Sequence, residues 1–341
     1  MTAVTWRVEA TLRPHGPILD RRRLLASAVA VASAAVAGSS CGIANGGADR
    51  LLRMLIPHSP GGGYDLTGRA AAKALEAGEK FDAVEITNVL GGGGTVALQR
   101  LLDEEGAEDL VLVMGLGVLG AVHARTSDVT PPAVTPIARL VEEQEGILVP
   151  AHSPLRTVDD LVAAWRRSPR SVTVGGGSTV GGPDHLFPMR LAAEVGIEPR
   201  RVAYRSFAGG GPLTSALIGG EVDVGVSSLG EVEGQVREGA LRLLAVSGRD
   251  RHRPGAPTLT QSGIDLVFTN WRGVLAPPGI SEGHRQHLIE TVTAMHASDE
   301  WQAALARNGW RDNFATGDEF AGFLREQATD VDRTLRELGL T

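Results

Sequence analysis

Short apolar runs alternate with amphipathic helical segments along most of this chain, and that alternation restricts it to layered α/β architectures. Leu51–Pro57, Ala83–Asn88 and Leu110–Met114 read as strands, separated by helices at Leu66–Ala77 and Thr95–Leu102. Gly146–Pro150 is a further apolar run, followed by a helix at Thr157–Arg167. Strands at Ser171–Val174, Arg201–Tyr204, Val222–Val226 and Leu241–Val246 then alternate with helices at Pro183–Val195, Pro212–Ile218 and Glu231–Arg237. Residues 280–341 read as helical throughout, with amphipathic segments near Arg285–Met295, Glu300–Arg307 and Glu319–Leu338. The pattern predicts α/β lobes with mostly parallel sheets.

Many of the 44 glycines sit in clusters where strands end. Gly61-Gly62-Gly63 lies in the loop Pro57–Asp65, Gly91 to Gly94 precede Thr95, and Gly175-Gly176-Gly177-Ser178-Thr179-Val180-Gly181-Gly182 precedes a helix that opens on Pro183. A helix start leaves amide N–H groups unpaired and carries partial positive charge. A glycine-rich approach lets a ligand oxygen come close to them. In an open parallel sheet such loops gather at the carboxyl edge. Any one of them also serves as a plain tight turn. Several together, with Thr95, Ser178 and Thr179 as hydroxyl donors, predict a cleft for a small anion. Asp65 fits a helix cap or loop brace as well as a ligand contact. His185, in a first helical turn, either donates to a ligand or is packed.

The net charge of −7 argues against nucleic acid and anionic membrane surfaces as partners. Residues 1–40 carry five arginines and two acids, so the remainder is more negative still. With seven Phe, five Trp and two Tyr, stacking platforms for sugars or bases are not expected. Arg21-Arg22-Arg23, Leu24-Leu25 and an Ala/Val/Ser stretch to Ser40 have the order of an export signal, similar to the twin-arginine type. Cys41 is the sole cysteine, which excludes an internal disulfide and a cysteine-based metal site. It is read either as a lipid-bearing first mature residue or as an idle thiol after cleavage at Ala35-Val36-Ala37. The expected organisation is a signal at 1–40, a tether at 41–50 and a two-lobed body beyond. The expected location is extracytoplasmic, anchored through Cys41 or otherwise periplasmic or secreted.

A series of motifs resembles the solute-binding subunit of tripartite tricarboxylate transporters, periplasmic receptors for citrate and related carboxylates. The loop Pro57–Asp65 with Arg69, the glycine run before Thr95, Thr135-Pro136-Ile137-Ala138-Arg139-Leu140, and Gly177-Ser178 with His185 come first. Val202-Ala203-Tyr204-Arg205, Gly219-Gly220-Glu221-Val222-Asp223, Leu241-Arg242, Pro257-Thr258-Leu259, Trp271, Pro277-Pro278-Gly279 and Gly309-Trp310 follow in order. His58 stands where that family commonly has an aromatic, and Ser206 where glycine is frequent.

The resemblance implies a two-lobe type II periplasmic-binding-protein fold, with lobe 1 at 51–146 plus 268–341, lobe 2 at 147–267, and a hinge near Leu148 and Phe268. It implies ligand contacts from Ser59, Gly61, Gly62, Gly63, Tyr64, Asp65, Gly94 and Thr95 on one side. Gly177, Ser178, Thr179, Gly181, His185, Phe207, Ala208, Gly209, Ser227 and Ser228 would face them from the other. The function implied is capture of a di- or tricarboxylate by a monomer, without cofactor, metal or catalysis, and delivery to separate permease subunits. Two other readings stand beside it. One is a receptor for a membrane sensor kinase. The other is an exported oxidoreductase, because Gly115-Leu116-Gly117-Val118-Leu119-Gly120 fits a dinucleotide fingerprint, although it follows the third strand rather than the first. No nucleophile elbow is present, and His284 and His287 lack a metalloprotease frame.

Overall fold

The computed structural model describes residues 50–124, 134–251 and 255–340. The expected export signal, Cys41 and the expected tether up to residue 49 lie outside the described residues. The chain runs β1 (Leu51–Ile56), α1 (Gly63–Ala77), β2 (Ala83–Asn88), α2 (Thr95–Asp103), β3 (Leu110–Gly115), α3 (Leu116–His123), β4 (Thr135–Pro150), α4 (Val158–Arg167), β5 (Thr173–Gly176) and α5 (Pro183–Glu194). It continues β6 (Ala203–Ser206), α6 (Gly210–Ile218), β7 (Val224–Ser228), α7 (Leu229–Arg237), β8 (Leu241–Val246), β9 (Thr269–Ala276), α8 (Glu282–His296), α9 (Asp299–Asn308), β10 (Arg311–Thr316) and α10 (Gly317–Glu337).

Two sheets share one strand. In the first, β2, β1 and β3 are parallel, and β9 joins β3 and β4 antiparallel. In the second, β6, β5 and β7 are parallel, while β7 and β8 pair antiparallel with β4. The parallel half of each sheet matches the expected βα units. The antiparallel half arises because β4 is a continuous strand that pairs with β9 as far as Gln144 and with β7 from Glu145. A strand that passes straight from one sheet into the other must be met by returning neighbours. The C-terminal region is not helical throughout: β10 interrupts it and pairs with β4 from Arg311↔Glu142 to Thr316↔Ala138.

The crossing is clasped by Ser247, which is fully buried. Its hydroxyl donates to the Phe268 carbonyl at 2.6 Å and accepts from the Glu145 amide at 2.8 Å. Its amide donates to the Glu145 carbonyl and its carbonyl accepts from the Phe268 amide, both at 2.9 Å. One side chain thus ties the outgoing strand to the returning one.

Two kinds of helix start bear on the site. The N-termini of α4, α8 and α9 are capped by Thr157, Ser281 and Ser298 side chains. Helices α1, α2, α5 and α6 instead begin after Gly62, Gly94, Gly182 and Gly209, with no side-chain cap at that position. The glycine-started helices all follow parallel strands, so their amide ends collect at the carboxyl edges of both sheets.

Replacing Ser247 by alanine leaves the Glu145 amide and the Phe268 carbonyl each short of a buried partner. It should cost about 1–3 kcal/mol, read as a lower midpoint in urea denaturation. An unchanged midpoint would remove the clasp from this description.

Candidate functional site

A cavity of about 270 Å³ opens between the carboxyl edges of the two sheets. That is near the lower end of ligand pockets, which run from roughly 300 to 1,000 Å³. The β1–α1 loop contributes Ser59, Gly63 and Tyr64, and the β2–α2 loop contributes Gly91 to Gly94. From the second sheet come Gly177, Ser178 and Thr179 after β5, and Phe207 and Ala208 after β6. These were expected from the sequence, apart from Gly91 to Gly93, which belong to the glycine run noted there.

The remaining expected residues stand behind that lining. Asp65 is a brace: its carboxylate accepts from the Gly61 amide, Arg69 and Asn88 at 2.8–2.9 Å. Burial pushes its pKa up, but those hydrogen bonds outweigh it and hold the group below the usual carboxylate range. Thr95 Oγ1 donates to the Gly92 carbonyl at 3.1 Å. Gly62 and Gly209 both pack against the His58 ring. His185 Nδ1 accepts from the Gly181 amide at 3.3 Å, its ring sits edge-on to Tyr204, and burial lowers it to about 4. Ser227 and Ser228 end β7 and are buried.

The two sides touch around the cavity. Ser59 Oγ donates to the Ala208 carbonyl at 3.0 Å. Gly120 lies against Gly181 so closely that a Cβ on Gly120 would be 1.8 Å from the Gly181 carbonyl oxygen. A Cβ on Gly115 or Gly117 would likewise meet the Trp271 carbonyl or the Tyr64 hydroxyl at under 3 Å. The glycines of the dinucleotide-like fingerprint therefore serve close packing against protein groups.

Sequence reasoning missed the charged floor. Glu231, Asn270 and Arg272 line the cavity, with Glu143, Glu145 and Asp184 buried nearby. The guanidinium of Arg272 pairs with Glu143, reaches Ser228 Oγ at 3.3 Å and lies 5.8 Å from the centre of the Tyr64 ring. Burial would lower the Arg272 pKa, but Glu143 and Glu231 outweigh it and raise it. Glu231 is half-buried. Its Oε1 accepts from the Gly63 amide at 2.8 Å and its Oε2 from the Gly210 amide at 2.9 Å. These are the first residues of α1 and α6, so a side chain already holds two of the glycine-started helix ends. A third end is held by Ser178 Oγ, which accepts from the Asp184 amide at 3.1 Å. Burial, reinforced by the charge of Glu231, pushes Asp184 up to about 8, and burial together with Asp184 and Glu143 raises Glu145 well above its ordinary value. A charged residue inside the otherwise apolar strand Trp271–Ala276 was the available signal for Arg272. Among the described residues no three His, Cys, Asp or Glu side chains are grouped to hold a metal ion.

The model of the tripartite tricarboxylate transporter family receptor matches residues 73–340. This chain belongs to that family. BugT of Bordetella pertussis is 25% identical over 309 residues, covering 85% of this chain and 90% of BugT. Among solved structures, the periplasmic binding protein BugD superposes with a TM-score of 0.77 at 20% identity, covering 85% of this chain and 98% of that one. MatC of Rhodopseudomonas palustris with bound malate gives 0.74 at 21%, covering 84% and 99%. The receptor thus has the type II periplasmic-binding-protein fold, and its family works as extracytoplasmic solute-binding proteins alongside membrane permease components. Among the described residues of this receptor no helix is long and apolar enough to cross a membrane.

The Asp184 carboxyl carries a pH signature. Between about pH 4, where a free aspartate titrates, and about pH 8, the unfolded chain has released a proton that the folded receptor keeps. Its stabilising contribution is complete below that window and fades as pH rises through it, by up to about 1.4 kcal/mol per pH unit. Asp184→Asn should therefore gain stability over the wild type on going from pH 5 to pH 8, measured by urea denaturation at each pH. Parallel curves for the two proteins would contradict a raised Asp184.

Proposed function

We propose that this receptor captures a small organic acid in the cleft and delivers it to separate permease subunits. The supporting observation is the cavity itself, bounded from both sheets by glycine backbone and by the hydroxyls of Ser59, Ser178 and Thr179. Main-chain amides and hydroxyls suit a carboxylate, and the bound malate of MatC supports the same ligand class here. The proposed contacts are Ser59, Gly63, Tyr64 and Gly94 from one side, and Gly177, Ser178, Thr179, Phe207 and Ala208 from the other. The lobes are taken as 51–146 with 268–341, and 147–267. A ligand that touches both favours the closed arrangement over the open one, so binding and closure are linked. The proposal includes a monomeric receptor, exported on the segment around Arg21-Arg22-Arg23 and held at the outer face of the cytoplasmic membrane through Cys41.

A thermal-shift screen against small mono-, di- and tricarboxylates tests the ligand class. An acid at a hundredfold excess over its Kd should stabilise the receptor by about 2.7 kcal/mol. A panel in which no acid moves the melting point would end the proposal. Closure is tested separately by Gly120→Ala, whose Cβ would lie 1.8 Å from the Gly181 carbonyl oxygen where the two sides meet and would be relieved in the proposed open arrangement. Its ligand-free melting point should match the wild type, while affinity for the acid found in the screen falls roughly tenfold or more, equivalent to about 1.4 kcal/mol. Equal affinity would mean that the lobes do not need this contact to hold ligand.

A further inference from the structure

The cleft holds a carboxylate of its own. Glu231 sits on α7, and its two oxygens take the first amides of α1 and α6, elements that flank the cleft from different sheets. The site it fills has what an anion seeks: two helix starts, their partial positive charge, and a guanidinium close by. A Cβ placed on Gly63 would lie 2.0 Å from Arg272 Nη2 and 2.9 Å from Glu231 Oε1, so all three groups converge on one point. Glu231 and Arg272 both line the cavity, hence a ligand reaching this floor meets them directly.

Resting on the carboxylate reading above, we propose that Glu231 is the specificity-determining residue of this cleft: it occupies one anion position permanently, so that the ligand brings a single carboxylate and presents an ammonium group to the floor. A second ligand carboxylate would have to displace Glu231 or lie beside it, and like charges brought together in a water-poor site repel strongly. The charge balance favours a cation there. Arg272 pairs with Glu143, so Glu231 is a second carboxylate against one guanidinium; burial raises its pKa, and Arg272 and the Gly63 and Gly210 amides act against that rise to favour its charged form. Burial holds the neighbouring Asp184 and Glu145 toward their neutral forms, reinforced by Glu231 at Asp184 and by Asp184 and Glu143 at Glu145, so they add less charge than two free carboxylates would. Asn270 lines the same part of the cavity, is 5% exposed, and its Oδ1 has no hydrogen-bond partner, adding an acceptor rather than a donor to the floor. The carboxylate of the ligand is left to the other lining, where Gly91 to Gly94 all take positive φ and Gly93 approaches Thr179. This narrows the di- or tricarboxylate expectation to a zwitterionic monocarboxylate.

The test uses matched pairs that differ only in exchanging an ammonium for a carboxylate: alanine and methylmalonate, γ-aminobutyrate and glutarate, ε-aminocaproate and pimelate. Isothermal titration calorimetry is run on the wild type and on Glu231→Gln, with melting curves to establish that the variant is folded. In the tightest-binding pair the wild type should prefer the amino acid by roughly tenfold or more. Glu231→Gln should shift that ratio by roughly tenfold or more toward the dicarboxylate. A wild type that binds the dicarboxylate as tightly as its amino partner overturns the inference whether or not the variant folds. A folded variant with an unchanged ratio overturns the role of Glu231. If dicarboxylates bind the wild type and amino acids do not, the carboxylate reading stands and this inference falls. If no acid binds either protein, both fall together.

Discussion

The two sheets of this receptor are joined around a single buried guanidinium. Arg272 lies on β9 and Glu143 on β4, the two strands that run into the junction, and both are almost completely buried. An ion pair withdrawn from water is a weak source of net stability, but removing one partner strands the other and costs about 3–5 kcal/mol. The pair therefore locks the geometry of the junction. Its neighbours inherit that geometry: Ser228 and Tyr64 lean on Arg272, Glu231 is drawn to it, and the first turn of α1 is brought over it.

The same junction ties the two sheets together. β4 is continuous, and Ser247 binds it to the return segment. Contacts across the cleft include Gly120 on Gly181 and Ser59 on the Ala208 carbonyl. Such contacts are geometrically exacting. Under the proposed closure, a ligand that touches both sides is the agent that shifts the balance.

Local features of this fold were legible in the sequence. β2 spans the run read as Ala83–Asn88 and β8 the run read as Leu241–Val246, because each is a short run with β-favouring residues bounded by turn residues. The glycine loops were equally visible, since only a backbone requirement explains so many glycines at strand ends. β9 was hidden because Asn270 and Arg272 break its apolar pattern, and their reason for being there is tertiary. β10 was hidden because Arg311-Asp312-Asn313-Phe314-Ala315-Thr316 is a polar strand at a sheet margin, where one-sided pairing with β4 sets its conformation. The floor of the cleft was invisible for a related reason. Glu143, Glu231 and Arg272 are far apart in the chain, and no spacing rule links residues that meet only where two sheets join.

The claim that both lobes grip one small acid is tested most directly by hydrogen–deuterium exchange of the full protein with and without the tightest acid found for it. The account predicts slowed exchange at once in the Gly91–Thr95 loop after β2 and in the Gly177–Thr179 and Phe207–Gly209 loops after β5 and β6. Protection confined to one sheet, or appearing only away from the cavity, would contradict it.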